Sequence, residues 1–416
     1  MTLAGISTAR TFSALRHPNY RLFWWGALVS LTGSWMRIAA QSWLVYDLTG
    51  SPFMLGTVTM INTLPTMLLG LLGGAVADRS EKRYLLIGTQ GVFMVAAAAM
   101  AVLTLTGRIE VWHILALSAV SGIAAALDMP ARQSLIPHLV EREDLMNAIA
   151  LNSAAFNGSR IVGPVLAGLI IDQLGGRAGP GWSFAINAVT YLGVIGALAM
   201  IPVISRPAVA GSQNVLLDVR EGVTYAWSQP ALRTLLGLLT VAGVFGLSFM
   251  VLMPVVARDV LNVPARGFGF LMTASGVGAT IGVLAVASSR PARPWTAIMG
   301  TFTAFVVSLA AFAASTVYAL SLALMVVVSG TITAYLSLSN TTIQLVVPDE
   351  LRGRVMSLYI LAFFGTAPLG GLIIGALASA LGAQVALLIC AAVCGVAAVL
   401  VRSAGRTVSP QPSLAA

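Results

Sequence analysis

Apolar stretches of roughly 20 residues recur from Leu22 nearly to Val401, each long enough to cross the ~30 Å hydrocarbon core of a bilayer as a helix. They are read at about 21–46, 53–77, 84–106, 111–133, 146–171 and 181–202, then at 232–257, 267–289, 295–315, 317–346, 353–380 and 382–402. Inside hydrocarbon the backbone must satisfy its own N–H and C=O groups, so this pattern predicts an all-α membrane protein of twelve transmembrane helices. Charge agrees: 9% of the 416 residues are charged, against about a quarter in a soluble domain, too few to coat a water-soluble globule. The net charge of +9 raises nucleic acid as a partner, but the arginines sit in short clusters between apolar runs, with no basic stripe, and nucleic-acid binding is set aside. Cys390 and Cys394, four apart in the last run, read as packing residues rather than a disulfide. Met1 to Tyr20 is polar and basic without an apolar core, so no removable signal peptide is expected.

The runs fall into two sets of six, divided by a more polar stretch from Ser205 to Pro230. The halves echo each other: Pro137, Glu143, Asp144, Leu145 and Phe156 correspond to Pro348, Asp349, Glu350, Leu351 and Phe363. After the proline the offsets run from 206 to 207, about half the chain, as duplication of a six-helix unit would leave. The expected organisation is two pseudo-symmetric six-helix bundles, residues 1–203 and 232–416, the second with a short cytoplasmic tail, joined by a cytoplasmic linker over 204–231. In the linker, Val215, Leu216, Val219, Val223, Ala226 and Trp227 gather on one helical face, which predicts an amphipathic helix on the inner membrane surface. With the N-terminus inside, 17 of the 23 basic residues fall on the cytoplasmic side and four outside, while Arg37 and Arg160 lie within the membrane. This asymmetry places both termini in the cytoplasm.

The turn after the second run reads Gly74, Ala75, Val76, Ala77, Asp78, Arg79, Ser80, Glu81, Lys82, Arg83. It resembles the loop pattern of the major facilitator superfamily, with Glu81 standing where a second glycine is usual. The resemblance implies the major facilitator fold and a gating role for Gly74, Asp78, Arg79, Lys82 and Arg83, with Asp128 near the inner end of the fourth run as partner. Charge-assisted hydrogen bonds between helix ends are the physical basis of such a latch; the alternative role is topology alone. The runs His17–Trp24 and Ala40–Pro52, with Asp128 to Arg132 and Arg352 to Met356, are similar to the branch of bacterial enterobactin-type siderophore exporters and macrolide-efflux proteins. In the fifth run Gly158, Gly163, Pro164 and Gly168 resemble the exporter-associated glycine–proline motif, with Ala150, Ser159 and Ala167 in three of its glycine positions. Small residues let helices approach closely, so tight packing is the competing reading.

Ionisable groups inside hydrocarbon are costly and face a cavity or a partner. Arg37 shares one face of the first helix with Ser30, Ser34 and Gln41, at spacings of four, three and four. Arg160 shares a face of the fifth with Ser153, Asn157 and Pro164. In the resembled fold both helices line the central cavity. Ser34, Arg37, Gln41, Asn157 and Arg160 are therefore candidate cargo contacts, since guanidinium offers a planar donor fork for carboxylate or catecholate. An internal network that positions helices is the alternative. In the second half, Thr333, Ser337, Thr341 and Gln344 share a face with Asn340 adjacent, and Asn340 and Gln344 join the candidate set. Phe363 and Phe364 add aromatic surface, and Phe249, Met253 and Met272 an apolar wall or plain core.

The reading is a secondary transporter, not an enzyme. It is expected to export a siderophore-like or drug-like molecule by alternating access, coupled to protons, as a lipid-embedded monomer of the bacterial inner membrane with no cofactor and no metal. No Gly-rich phosphate loop ending in Lys and Ser or Thr is present, which sets direct ATP drive aside. Import of an organic solute, lipid or lysolipid translocation, and a non-transporting scaffold or sensor are the rival readings.

Overall fold

A computed structural model describes residues 12–202, 215–289, 291–363 and 365–403, except for the side chains of Leu71, Asp78 and residues 215–220. Phe364, the topology arginines Arg10, Arg206, Arg290 and Arg406, and the side chains of Asp78, Val215, Leu216, Val219 and Arg220 thus lie outside the described residues.

Among the described residues the structure is helical, without strands. Six long helices come first: α1 (Pro18–Thr49), α2 (Pro52–Arg79), α3 (Lys82–Leu105), α4 (Val111–Leu135), α5 (Leu145–Leu174) and α6 (Ala178–Met200). The shorter α7 (Val215–Ser228) is followed by α8 (Pro230–Val241), α9 (Ala265–Ala287), α10 (Pro294–Ala314), α11 (Tyr318–Val346), α12 (Asp349–Phe363), α13 (Ala367–Leu381) and α14 (Ala383–Ser403). Local chemistry sets several ends. Pro18 opens α1, where its missing N–H costs nothing, and Gly50 closes it in the left-handed region at φ 59° before Pro52 opens α2.

Eleven stretches among the described residues are long and apolar enough to cross a membrane. α1, the helix read as the first crossing, is not among them by hydropathy, but its 32 residues reach ~48 Å and exceed the ~30 Å core. Its stripe of Ser30, Ser34, Arg37 and Gln41 interrupts its apolar surface. Leu68, Leu72, Val95, Val102, Val189, Leu192, Val399 and Leu400 are all exposed, apolar surface that lipid covers and water would not tolerate.

Two crossings expected as continuous helices are interrupted. Beyond α8 the chain widens over Ala242–Gly246, tightens over Ser248–Leu252 and widens again over Val256–Val260. Leu247 N–H reaches the carbonyl of Ala242, and Leu261 N–H that of Val256, each five residues back. Pro254 sits between the two wide turns and has no N–H for the ladder, while Gly243 and Gly246 cost little to bend. The gap between α12 and α13 holds Gly365, whose N–H also reaches five residues back, to Ile360.

The helices form two compact units, one of Met1–Gly50, Ile61–Gly211 and Pro264–Thr273, the other of Ser51–Met60, Ser212–Val263 and Ala274–Ala416. The first is packed around Tyr20, Phe23, Leu86, Leu135, Leu151 and Leu198, all buried. The second holds an aromatic cluster in which the rings of Phe302 and Tyr335 lie 4.8 Å apart.

Candidate functional site

In the first unit α1 turns different faces to its neighbours. Toward α5, Thr32 and Ser159 place their hydroxyls 3.1 Å apart, and both donate to the carbonyl of Leu28. Gly163 lies against this face so closely that a methyl there would be 2.6 Å from Cβ of Trp35 and 2.7 Å from the carbonyl oxygen of Thr32. At Gly168 a methyl would sit 2.8 Å from the carbonyl oxygen of Ala265, so this glycine brings α5 onto the start of α9. Pro164 is buried in the same contact, its carbonyl oxygen 2.6 Å from where a methyl of Gly269 would be. Gly158 faces open space and plays no such part.

The predicted arginines occupy separate environments. Arg37 donates from Nη1 to Oε1 of Gln41 at 2.8 Å, and Nε2 of Gln41 donates to Oγ of Ser118 on α4 at 2.9 Å. Asn62 on α2 joins them through the Ser118 carbonyl at 3.2 Å. Ser34, from the same stripe, turns to α6 and meets the Tyr191 hydroxyl at 3.1 Å while donating to its own backbone at Ser30. Arg160 lies over the Trp35 ring at 5.6 Å, and Trp35 meets Phe156 edge-on at 5.7 Å. Positions 35 and 37 stand about 200° apart around a helix, so Arg160 and Arg37 engage opposite sides of α1. Asn157 donates to the carbonyl of Ser153 on its own helix.

Near the turn between α2 and α3, Asp128 is buried and accepts from Thr89 at 2.8 Å and Gln90 at 2.7 Å, with Nε of Arg132 at 3.4 Å. Ser30 donates to Oε1 of Gln90 at 3.4 Å, which carries the network to α1. Thr89 and Gln90 were not singled out from the sequence, although a paired Thr and Gln within an apolar run is a signal. Glu81 caps α3 by accepting from the N–H of Tyr84 at 3.1 Å, so the residue that departs from the superfamily pattern starts the next helix. Arg83 donates to the carbonyl of Ala199 in the last turn of α6 at 2.7 Å, where helix carbonyls lack partners. Lys82 is buried, Arg79 is exposed, and Gly74 has space around it.

The run from His17 to Trp24 has a plain structural task. His17 pairs with Asp144 at 2.8 Å, Tyr20 donates to the carbonyl of Ala148 at 2.7 Å, and Trp24 to that of Leu151 at 2.9 Å. Three side chains thereby tie the start of α1 to the start of α5.

In the second unit Gln344 donates to Oδ1 of Asn340 at 2.6 Å, and Arg352 donates to the Gln344 carbonyl at 3.1 Å. Thr333 and Ser337 are half-buried and Thr341 is exposed, whereas Phe249, Met253 and Phe363 are buried in packing, as is Met272 in the first unit. Arg354 pairs with Glu221, and Gly222 rests on the Arg354 backbone, so α7 is docked on α12. Val223 and Trp227 remain exposed on α7. A groove between α10 and α14, lined by Val306, Ala310, Leu388 and Gly395, offers no polar group to orient a ligand. Among the described residues no group of three or more His, Cys, Asp or Glu is placed to hold a metal.

The family model described as transmembrane secretion effector matches residues 9–409. The multidrug efflux pump Tap of Mycolicibacterium fortuitum is 29% identical over 87% of this chain and 89% of its own length. The enterobactin exporter EntS of Shigella boydii is 24% identical over 86% of the chain and 85% of its own. Macrolide efflux protein A of Streptococcus pyogenes is 23% identical over 59% and 62% respectively. Among solved structures, the nucleoside transporter NupG superposes with a TM-score of 0.71 at 15% identity, over 93% of this chain and all but 1% of that one, since 99% is covered. A bacterial homologue of the lysosomal transporter Spinster gives 0.70 at 14% identity over 96% and 98%. These likenesses show the fold, and the named relatives are transporters rather than enzymes. The chain is a multi-pass membrane protein that belongs to the transmembrane secretion effector family of major facilitator transporters.

Proposed function

We propose that this protein expels a siderophore-like or drug-like organic molecule across the bacterial inner membrane by proton-coupled alternating access, as a monomer with both termini in the cytoplasm. The observation that carries the reading is the 29% identity to a multidrug efflux pump over 87% of the chain. The enterobactin exporter, matched over 86%, supports the same direction.

Residue roles follow from charge and contact. Asp128 with Thr89, Gln90 and Arg132 is a polar latch joining α3 and α4, and together with Asp78, Arg79, Lys82 and Arg83 it holds one end-state of the cycle. The small residues of α5 let α1 and α9 slide or rock against a smooth surface. Ser34, Arg37, Gln41, Asn157, Arg160, Asn340 and Gln344 supply polar groups to the cargo path. The absence of a phosphate loop in the sequence leaves an ion gradient as the driving force.

The test is accumulation of candidate chelators and dyes in cells stripped of their own exporters, with and without this protein and with and without a proton uncoupler. Lowered accumulation that the uncoupler restores is the expected result. Raised accumulation would mean import, and redistribution of labelled lysolipid between leaflets without any efflux would mean lipid handling.

A further inference from the structure

Arg37 differs from Arg132, Arg266, Arg352 and Arg354, each of which faces a carboxylate. It lies mid-helix in a membrane crossing, half-buried, and among the described residues its recorded partner is the neutral Gln41. A cation at membrane depth without a counter-ion is held at a cost, and a protein that only needed helix packing would do better with an apolar side chain there.

The arrangement also orients the charge. Gln41 accepts from Nη1 with its oxygen and donates to Ser118 with its nitrogen, so both ends of the amide are used and its direction is set. Ser118 is in turn fixed by Asn62 through its carbonyl. Three helices thus fix one edge of the guanidinium, and among the described residues no carboxylate meets the remaining N–H donors of the fork.

We propose that Arg37, positioned by Gln41 and Ser118, is the subsite that takes a paired anionic oxygen group on the cargo, a carboxylate or an ionised catechol. The inference rests on the transport reading for the word cargo, and names its chemical class. A planar fork binds two coplanar oxygens at once, which selects such groups over amides and over isolated hydroxyls.

The experiment uses the purified full chain in phosphatidylcholine nanodiscs, with calorimetric titration of salicylate and of its uncharged analogue salicylamide. The wild type is expected to bind salicylate ~10-fold or more tightly than salicylamide, the scale of one charge-assisted hydrogen bond. Arg37→Ala removes that preference, Arg37→Lys keeps part of it, and Gln41→Ala, which frees the guanidinium without removing it, weakens salicylate binding a few-fold. The two milder variants keep the test open if Arg37→Ala does not fold.

Equal affinity for the two probes in the wild type, or a preference that survives in Arg37→Ala, overturns the proposal. Loss of salicylate binding when phosphatidylglycerol replaces phosphatidylcholine assigns the site to a lipid headgroup and overturns it as a cargo site. Because no transport is needed, a carboxylate preference without cellular efflux would sink the export reading alone. Efflux of uncharged dyes without that preference would sink the subsite alone.

Discussion

Gly163 and Gly158 make a matched pair from which the α1–α5 contact can be weighed. Replacing either by Ala removes the same backbone entropy and adds the same methyl, but the surroundings differ. At Gly158 nothing lies within 4 Å. At Gly163 the methyl would stand 2.6 Å from Cβ of Trp35, 2.7 Å from the Thr32 carbonyl oxygen and 2.9 Å from the backbone nitrogen of Met36. Carbon atoms pack at about 3.5–4.0 Å, so the shortfall approaches an ångström. Two of these neighbours are backbone and the third is bonded directly to it, so no rotamer change relieves the clash. The helices must part, which also strains the Thr32–Ser159 contact and the stacking of Arg160 on Trp35. Overpacking of this kind costs ~1–3 kcal/mol, and the propensity gain of Gly to Ala cancels in the comparison. Reversible unfolding by SDS titration in mixed micelles reads the difference directly. Gly163→Ala should unfold ~1–3 kcal/mol more easily than Gly158→Ala. Equal stability of the two would refute the contact as the reason for glycine at position 163.

Asp128→Ala leaves Arg132, Thr89 and Gln90 facing an empty acceptor site, and should cost ~3 kcal/mol in the same titration and abolish efflux, while Asp128→Asn, which keeps one acceptor oxygen, costs less. Equal losses for the two variants would mean that the carboxylate's charge is the whole effect. Tyr20→Phe strips the Ala148 carbonyl of its buried donor at ~1 kcal/mol, seen as faster hydrogen exchange at the start of α5. Glu221→Arg should loosen α7 from α12 and raise proteolysis of the linker, and the swapped pair with Arg354→Glu should restore protection. The stability change is only ~0.5 kcal/mol because both groups are partly exposed.

The spans were legible because hydrocarbon imposes one rule on every stretch, and twelve apolar runs of the right length leave few alternatives. Their interior breaks were harder to read. Gly243, Gly246 and Pro254 are cues, yet each is tolerated singly inside a transmembrane helix, and hydropathy is blind to a hydrogen bond that reaches five residues instead of four. The candidate site divided along the same line. One helix places Ser34, Arg37 and Gln41 on a common stripe, which helical geometry alone predicts, but their partners Tyr191 and Ser118 come from α6 and α4. Likewise Asp128 was visible as an acid in an apolar run, while its partners Thr89 and Gln90 lie some forty positions earlier, at separations of 39 and 38. Spacing within a helix cannot report such long-range pairings.

The attachment of α1 to α5 also sets a clock on synthesis. The carbonyls that receive Tyr20 and Trp24 lie 128 and 127 residues further along the chain. At about 5–20 residues per second the ribosome takes roughly 6–25 s to deliver them. Through that interval α1, with Arg37 on its flank, must reside at the insertion machinery or in lipid without its closing partners. The first of these crossings in chain order therefore waits on the fifth for its closing bonds, and that interval is the stage at which substitutions at the start of α1 should be felt most.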